Sequence, residues 1–454
     1  MLPAISILFM LVKQEGFHTM FNPMKLKEVF HKKPSDQDII NAVHADESNM
    51  FFEVLSISDS AYLCSTGAKT CYNLEPAKEY TKNLEHIARI MGYGHDSISA
   101  HSNMIIKLNI EADDREHMNL LPILFALPAM KYMNIAILPY KEDLPGTRHS
   151  IQLLISGSVR AFRYFIQKFN NTYIENNGYN TDLYEVMKQC IYQSFEKEFF
   201  VDFIKAGILD EKQFVYKAQM NLIVSEDENG DEVANVGTEA VHQPILSTNM
   251  VDILYRDNIY ELYYYLLSNG ADPDKLLDCL LETCIVTLRL KNYSRAISQQ
   301  INRHQSGISQ ESQRYVNYSK SQFIDPLHFH DNIEDQNKEY SIDFMGSTFK
   351  GTMKELGQSL IAIYPQLKEQ GLQNQDARAI LPMNSETKTI HTFTYKNLLH
   401  FIKLRDSQFA QQEVRQIARD MKLLLFNKDE YISMESTVDR DFLNSKMLEL
   451  TNHK

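Results

Sequence analysis

The sequence predicts an α/β protein, and three observations carry that prediction. Runs such as FFEVLSIS (51–58), MIIKLNI (104–110) and TKTIHTFT (387–394) have the alternating or continuously apolar character of strands. Between such runs lie stretches with helical spacing, for example Leu84, Ile87, Ile90 and Met91, closed by Gly92 and Gly94. The composition, 44% hydrophobic and 23% charged with few Gly and Pro, is that of a soluble globular protein, and 454 residues leave room for more than one domain.

Taken in order, the chain opens with MLPAISILFMLVKQ, whose apolar run is too short to span a bilayer. It has no basic leader or small-residue cleavage site, so it reads as a buried strand or helix. Residues 25–110 read as mixed α/β structure. Residues 111–150, with Pro122, Pro128, Pro139 and Pro145, read as an insertion packed on the core. SIQLLISGSVRAFRYFIQKF (150–169) reads as strand, Gly turn and helix. Residues 170–280 read as mainly helical, with SEDENGDE (225–232) as an exposed hairpin tip or linker. Two helices meet at Asn269–Pro273, where Gly270 suits the position after a helix end. LLISGSVRAFRYFI (153–166) and LRLKNYSRAISQQI (288–301) form a weak repeat, pairing Arg160 with Arg295 and Ile166 with Ile301. It reads either as chance likeness of two strand–turn–helix units or as a duplicated half in which only the second copy kept a polar face. Further on come one helix over 351–371, a turn and extended segment in DARAILP (376–382), a strand, and two helices in YKNLLHFIKLR and QFAQQEVRQIARDMKLLL. Leu398, Phe401, Ile402 and Leu404 are expected to point inward on the first of these. The tail after 426 reads as a docking helix or frayed end.

The net charge of −13 argues against broad nucleic-acid binding, which needs a basic surface. Nothing marks the chain for a membrane. The five cysteines are odd in number and lack CxxC spacing, so neither a disulfide framework nor a zinc site is expected, and a reducing cytoplasm fits best. The histidines do not cluster as metal ligands, so no metal is expected. GxGxxG, GxxxxGK[ST] and GxSxG are absent. What remains is an arginine set around Tyr293–Tyr318. Ser294 is a plausible N-cap, and Gln300, Arg303 and His304 at i, i+3 and i+4 share a helix face. Gly307 then breaks the helix, and SGISQESQR reads as a polar loop. Arg303 and Arg314, with Arg378 and Arg405 downstream, offer fork-shaped donors suited to phosphate.

These segments resemble the flavin-dependent thymidylate synthases, the ThyX family. SRAISQQINRHQSGISQESQRYV is similar to a variant of the family signature RHRxxSxNExSxR, one residue shorter after Arg-His. GLQNQDARAILP, TKTIHTFTYKNLLHFIKLR and AQQEVRQIA resemble the family's later segments in the same order, and GHDSISAH (94–101) resembles its GHxSxxEH. The resemblance implies a mixed-sheet core flanked by long helices. Its N-terminal part is expected at 1–110, a mainly helical insertion or degenerate half-repeat at 111–282, the signature and C-terminal block at 283–425, and a tail at 426–454. It further implies a methyltransferase converting dUMP to dTMP, with FAD as cofactor and NADPH and methylenetetrahydrofolate as co-substrates, in a homo-oligomer. That oligomer would be a tetramer, or a dimer if the chain is internally duplicated.

By the same resemblance, Gln300, Arg303, Gln310, Glu311, Ser312, Gln313, Arg314, Arg378 and Arg405 would contact dUMP. Arg405 would favour ionisation of uracil N3 and is the expected catalytic residue. Ser97, Arg303, His304, Gln305, Gln310, Thr394, Lys396 and His400 would contact FAD. Gln305, Gln310, Thr394 and Ala100 depart from the family pattern, and Gln305 removes a charge from the flavin phosphate site. Two other functions keep the same residues: a flavin- and folate-dependent pyrimidine nucleotide methylase or hydroxymethylase, and a non-catalytic nucleotide-binding relative.

Overall fold

The computed structural model describes residues 49–113, 133–138, 148–175, 182–214, 224–226, 232–234, 246–304, 306–427 and 437–452. The expectation for the opening apolar run and the role given to Gln305 lie outside them. In chain order the strands are β1 (Asn49–Ile57), β2 (Met104–Asp113), β3 (Met133–Ile137), β4 (Arg148–Gly157), β5 (Leu246–Ser247), β6 (Val251–Arg256), β7 (Ile285–Ser294), β8 (Gly307–Gln310) and β9 (Glu386–Thr394). Two small hairpins, Val224–Glu226 with Glu232–Ala234 and Glu339–Phe344 with Ser347–Thr352, stand apart from these strands. The principal helices are α1 (Ser60–Thr70), α2 (Tyr80–Gly92), α3 (Val159–Glu175), α4 (Asp182–Ser194), α5 (Ile259–Ser268), α6 (Pro273–Thr283), α7 (Arg295–Ile301), α8 (Tyr395–Arg405), α9 (Gln412–Leu425) and α10 (Thr437–Thr451). The chain is therefore α/β, as its patterning predicts.

Contacts divide the chain into two compact units of interleaved segments. The first takes residues up to Ala61, Glu79–Ala240 and Asp257–Cys284; the second takes Tyr62–Lys78, Val241–Arg256 and Ile285–Lys454.

The first unit holds an antiparallel sheet in the order β1-β2-β4-β3, with α4 against β1 and α6 against β3 and β4. Its strand ends are tied by Asp257, which is almost fully buried and accepts from Ser56 Oγ at 2.7 Å and Asn103 Nδ2 at 3.0 Å. A buried carboxylate is tolerated where donors satisfy it in this way. On α3, Arg163 donates to both carboxylate oxygens of Asp202, at 2.9 and 2.7 Å, and lies 4.4 Å over the Phe203 ring. Phe165, which the repeat pairs with Gln300, is fully buried.

The second unit holds an antiparallel sheet in the order β8-β9-β7-β6-β5. Its two longest strands, β7 and β9, pair side by side and each runs directly into a helix. Ser294 ends β7 and caps α7, its hydroxyl accepting from Ile297 N at 3.3 Å. Thr394 ends β9 and caps α8, accepting from Asn397 N at 3.2 Å. A hydroxyl at the N-cap satisfies a backbone donor that the helix itself leaves orphaned. Leu398, Phe401 and Ile402 are buried on α8 as expected, but Leu404 is 44% exposed, and Leu399 takes the inward place. Helical spacing leaves position 404 one residue off the stripe.

Three other expectations are corrected. Residues 351–371 form two helices, Met353–Ile361 and Ile363–Glu369, because Pro365 removes a helical donor. The polar stretch after Gly307 is strand β8, whose Ile308 pairs with His391 of β9. The segment read as mainly helical also contains β6, whose pairing with β7 makes it a strand of the sheet. The tail carries α10, whose Leu443 and Met447 are buried, as a docking helix requires.

Candidate functional site

The site grows from the place where α7 and α8 both end. α7 stops at Ile301, so Arg303 and His304 sit in the turn beyond it rather than on its face. Its last carbonyls lack intrahelical partners, and a cation is favoured there. Arg405, the last residue of α8, supplies it by donating Nη2 to Gln300 O at 3.3 Å. The same guanidinium donates to His304 Nε2 from Nε at 3.2 Å and from Nη2 at 3.1 Å. Burial, with the charge of Arg405 and then His400, pushes the His304 pKa down to about 4. His304 is therefore neutral at neutral pH and accepts on Nε2, which puts its ring proton on Nδ1. Its ring lies edge-on to Phe401 at 4.9 Å, and His400 is 6.4 Å away. Burial and the nearby charge of Arg303 lower the Arg405 guanidinium from its usual value. The Gln300 side chain donates to Gln411 Oε1 at 2.9 Å.

A second group lies along β8 and the loop after it. Gln310 is engaged inside the unit: its amide donates to Ser298 Oγ at 2.9 Å and accepts from Asn302 Nδ2 at 3.4 Å. Glu311, expected as a nucleotide contact, has only 6% of its surface exposed. Burial raises its carboxyl pKa, while the Tyr318 hydroxyl, Lys388 and Arg295 pull it back. What Glu311 contributes is backbone, donating its N–H to Lys388 O at 3.0 Å. Ser312 turns the chain, its carbonyl accepting from Tyr315 N and Val316 N and its hydroxyl from Arg314 N at 3.3 Å. Gln313 is half-buried and Arg314 is exposed, lying 5.4 Å over the Tyr315 ring.

Arg378 is exposed on the turn Arg378–Ile380. The residue before it, Ala377, is buried in a small cluster with Tyr318 and Tyr364, against which Val316 packs. That cluster brings Arg378 to the end of the Gln310–Arg314 loop. Lys396 and His400 lie one helical turn apart on α8, with Thr394 as its cap. Ser97 belongs to the first unit, where it is exposed on the short helix Asp96–His101.

The donors present suit anions. Three exposed guanidiniums, of Arg303, Arg314 and Arg378, with the amine of Lys396 and the imidazole of His400, match the charge of phosphate groups. The Gln310 amide donors are already spent internally, on Ser298 and Thr387, and the Thr394 hydroxyl accepts from Asn397 N as the cap of α8. Among the described residues no group of His, Cys, Asp and Glu is placed to hold a metal. None of the five cysteines is in a disulfide, and burial raises the thiol pKa of four of them, Cys279 up to about 12 and Cys71, Cys190 and Cys284 as well. None is thereby activated as a nucleophile.

Two features escaped the sequence reading. Glu413 of α9 is buried and accepts from Ser294 N at 2.6 Å and Ser294 Oγ at 2.9 Å, fixing the strand–helix junction that launches α7. The segment Cys71–Glu75 lies against the Gln310–Tyr315 loop, with the rings of Tyr72 and Tyr315 stacked at 5.0 Å. AQQEVRQIA held a signal for the first, an acid on a strongly amphipathic helix; AKTCYN held none for the second.

Residues 227–428 match the family model described as thymidylate synthase complementing protein. The match starts inside the segment read as an insertion, so β5, β6, α5 and α6 fall within it. The chain is 33% identical over 147 residues to a flavin-dependent thymidylate synthase of Geobacter sulfurreducens, covering 32% of this chain and 58% of that protein. It is 30% identical over 162 residues to a probable flavin-dependent thymidylate synthase of Paramecium bursaria Chlorella virus 1, covering 35% of this chain and 74% of that one. The chain thus spans a little under three-fifths of the Geobacter relative. A crystal structure of thymidylate synthase X from Helicobacter pylori with FAD and dUMP shares 16% identity at a TM-score of 0.28, over 38% of this chain and 91% of that one.

Proposed function

Because the chain belongs to the flavin-dependent thymidylate synthase family, we propose that it converts dUMP to dTMP, with methylenetetrahydrofolate as one-carbon donor and NADPH as reductant. FAD, when bound, supplies the hydride. Arg405 holds the uracil edge, and its fixed positive charge stabilises the anion formed as N3 loses its proton, which makes C5 a carbon nucleophile. Ser312, Arg314 and Arg378 take the phosphate of dUMP, and Gln300 orients the nucleotide from α7. Arg303, Lys396 and His400 take the anionic cofactor. His304, neutral and bonded to Arg405, sets the tilt of the guanidinium without adding charge. The assembly is a homo-oligomer, which a mass measurement in solution checks.

The observation that carries this reading is the convergence of Arg405, Gln300 and His304 where two helices end. Purified protein given NADPH, methylenetetrahydrofolate and [5-³H]dUMP should release tritium and form a product of the mass of dTMP. A hydroxymethylated product would move the reaction to a related nucleotide-modifying enzyme. The internal engagement of Gln310 and Thr394 favours a second reading, a nucleotide-binding relative without flavin chemistry. A protein that binds dUMP yet carries no flavin absorbance and releases no tritium would establish it.

A further inference from the structure

We infer that Cys71–Glu75 is a positioning element for the candidate nucleotide loop, with Tyr72 as its principal side chain and a nucleotide phosphate as the ligand it serves. The inference deepens the nucleotide reading above and rests on it. Helix α1 ends in a closed backbone motif: Leu74 N donates to Lys69 O at 3.0 Å and Asn73 N to Thr70 O at 3.1 Å. Asn73 adopts φ +53°, the left-handed turn that this ending needs and that Asn tolerates better than most residues. The motif aims the next residues at a single target.

Beyond its own helix end, this tongue makes contacts on and around the loop. Cys71 O accepts from Ser312 N at 3.0 Å. Asn73 Oδ1 accepts from Lys388 Nζ at 2.9 Å, and Lys388 is the residue whose carbonyl holds Glu311 N. Glu75 pairs with Arg289 of β7 at 3.0 Å. Tyr72 stacks on Tyr315 with 28° between the rings, and Arg314 lies over that same Tyr315. A chain of placement follows, from Tyr72 to Tyr315 to the exposed guanidinium of Arg314. The stack is a poor device for stabilising a core, since Tyr72 and Tyr315 are 51% and 53% exposed. It does suit holding a surface arginine in one orientation before a phosphate arrives, which lowers the ordering cost of binding.

The test compares the full-length wild type with Tyr72→Ala and Tyr72→Phe. A stacked aromatic pair amounts to roughly three- to tenfold in an equilibrium. Tyr72→Ala should raise the dUMP Kd and KM by about that factor, with kcat within about twofold and an unchanged melting temperature. In the ligand-free protein, amide exchange over Gln310–Val316 should quicken in Tyr72→Ala. Tyr72→Phe keeps the ring and should restore both readouts. Unchanged exchange over Gln310–Val316 in Tyr72→Ala overturns the inference, and so does an unchanged dUMP KM in a wild type that binds dUMP. A wild type that binds no dUMP sinks the functional reading instead, and the exchange comparison then still decides whether the tongue holds the loop.

Discussion

Arg405 donates twice to one imidazole nitrogen and once to a helix-terminal carbonyl, a use of its planar fork that a lysine cannot copy. Arg405→Lys should therefore behave nearly as badly as Arg405→Ala. Both are expected to lose on the order of a hundredfold or more in tritium release from dUMP, with melting temperatures close to wild type. His304 gives a second expectation at this scale. Its folded pKa of about 4 lies below the ordinary 6.5, so between these values the unfolded chain binds a proton that the folded chain refuses. Its contribution is complete above about pH 6.5 and is lost as pH falls toward 4. Urea unfolding at pH 7 and pH 5 should show a smaller loss of stability in His304→Gln than in wild type. Equal losses in the two proteins would remove His304 from the explanation.

At the scale of elements, the junction between β7 and α7 depends on Glu413, and the approach of Phe323 to Met353–Ile361 depends on Gly357. Glu413→Ala would leave the Ser294 N–H and O–H donors without their acceptor in a buried place, at about 1–3 kcal/mol; denaturant unfolding measures it. A Cβ on Gly357 would lie 2.3 Å from the Phe323 ring. Gly357→Ala should cost about 1–3 kcal/mol of overpacking, and Phe323→Leu in the same chain should recover part of it. Elements were also what the sequence displayed best. Ser294 as a cap, Gly270 after α5 and the strand at 387–394 were legible because capping and alternation are local chemistry. Helical spacing alone puts Arg303 and His304 on α7, because Gly307 is the visible breaker in the sequence, whereas the chain already turns at Asn302. The residues of β8 read as a loop in sequence because pairing with β9, and not their own polar side chains, makes them a strand. Arg405 with Gln300 was legible only through resemblance; no local pattern links residues so distant in sequence.

For the whole molecule, the division into units does not follow the order of the chain. The tongue that holds the candidate nucleotide loop is contributed by residues 62–78, and α5 and α6 count with the first unit although the strands on either side of them belong to the second. Strand, two helices and an antiparallel partner strand occur twice, as β1-α1-α2-β2 and as β6-α5-α6-β7. This correspondence differs from the weak repeat in the sequence, which aligns β4 and α3 with β7 and α7, and the arginine set lies beyond β7, outside both rounds.

The interleaving has a consequence for synthesis. Tyr62 and Leu63 of α1 are buried with Leu254 and Ile390. On a ribosome adding on the order of 5–20 residues per second, these two side chains wait tens of seconds for their partners to be made. During that interval α1 presents an apolar face to whatever is near, and the second unit cannot close. The second unit therefore closes only after residues near Ile390 have been made, and slowly, because its contacts are remote in sequence.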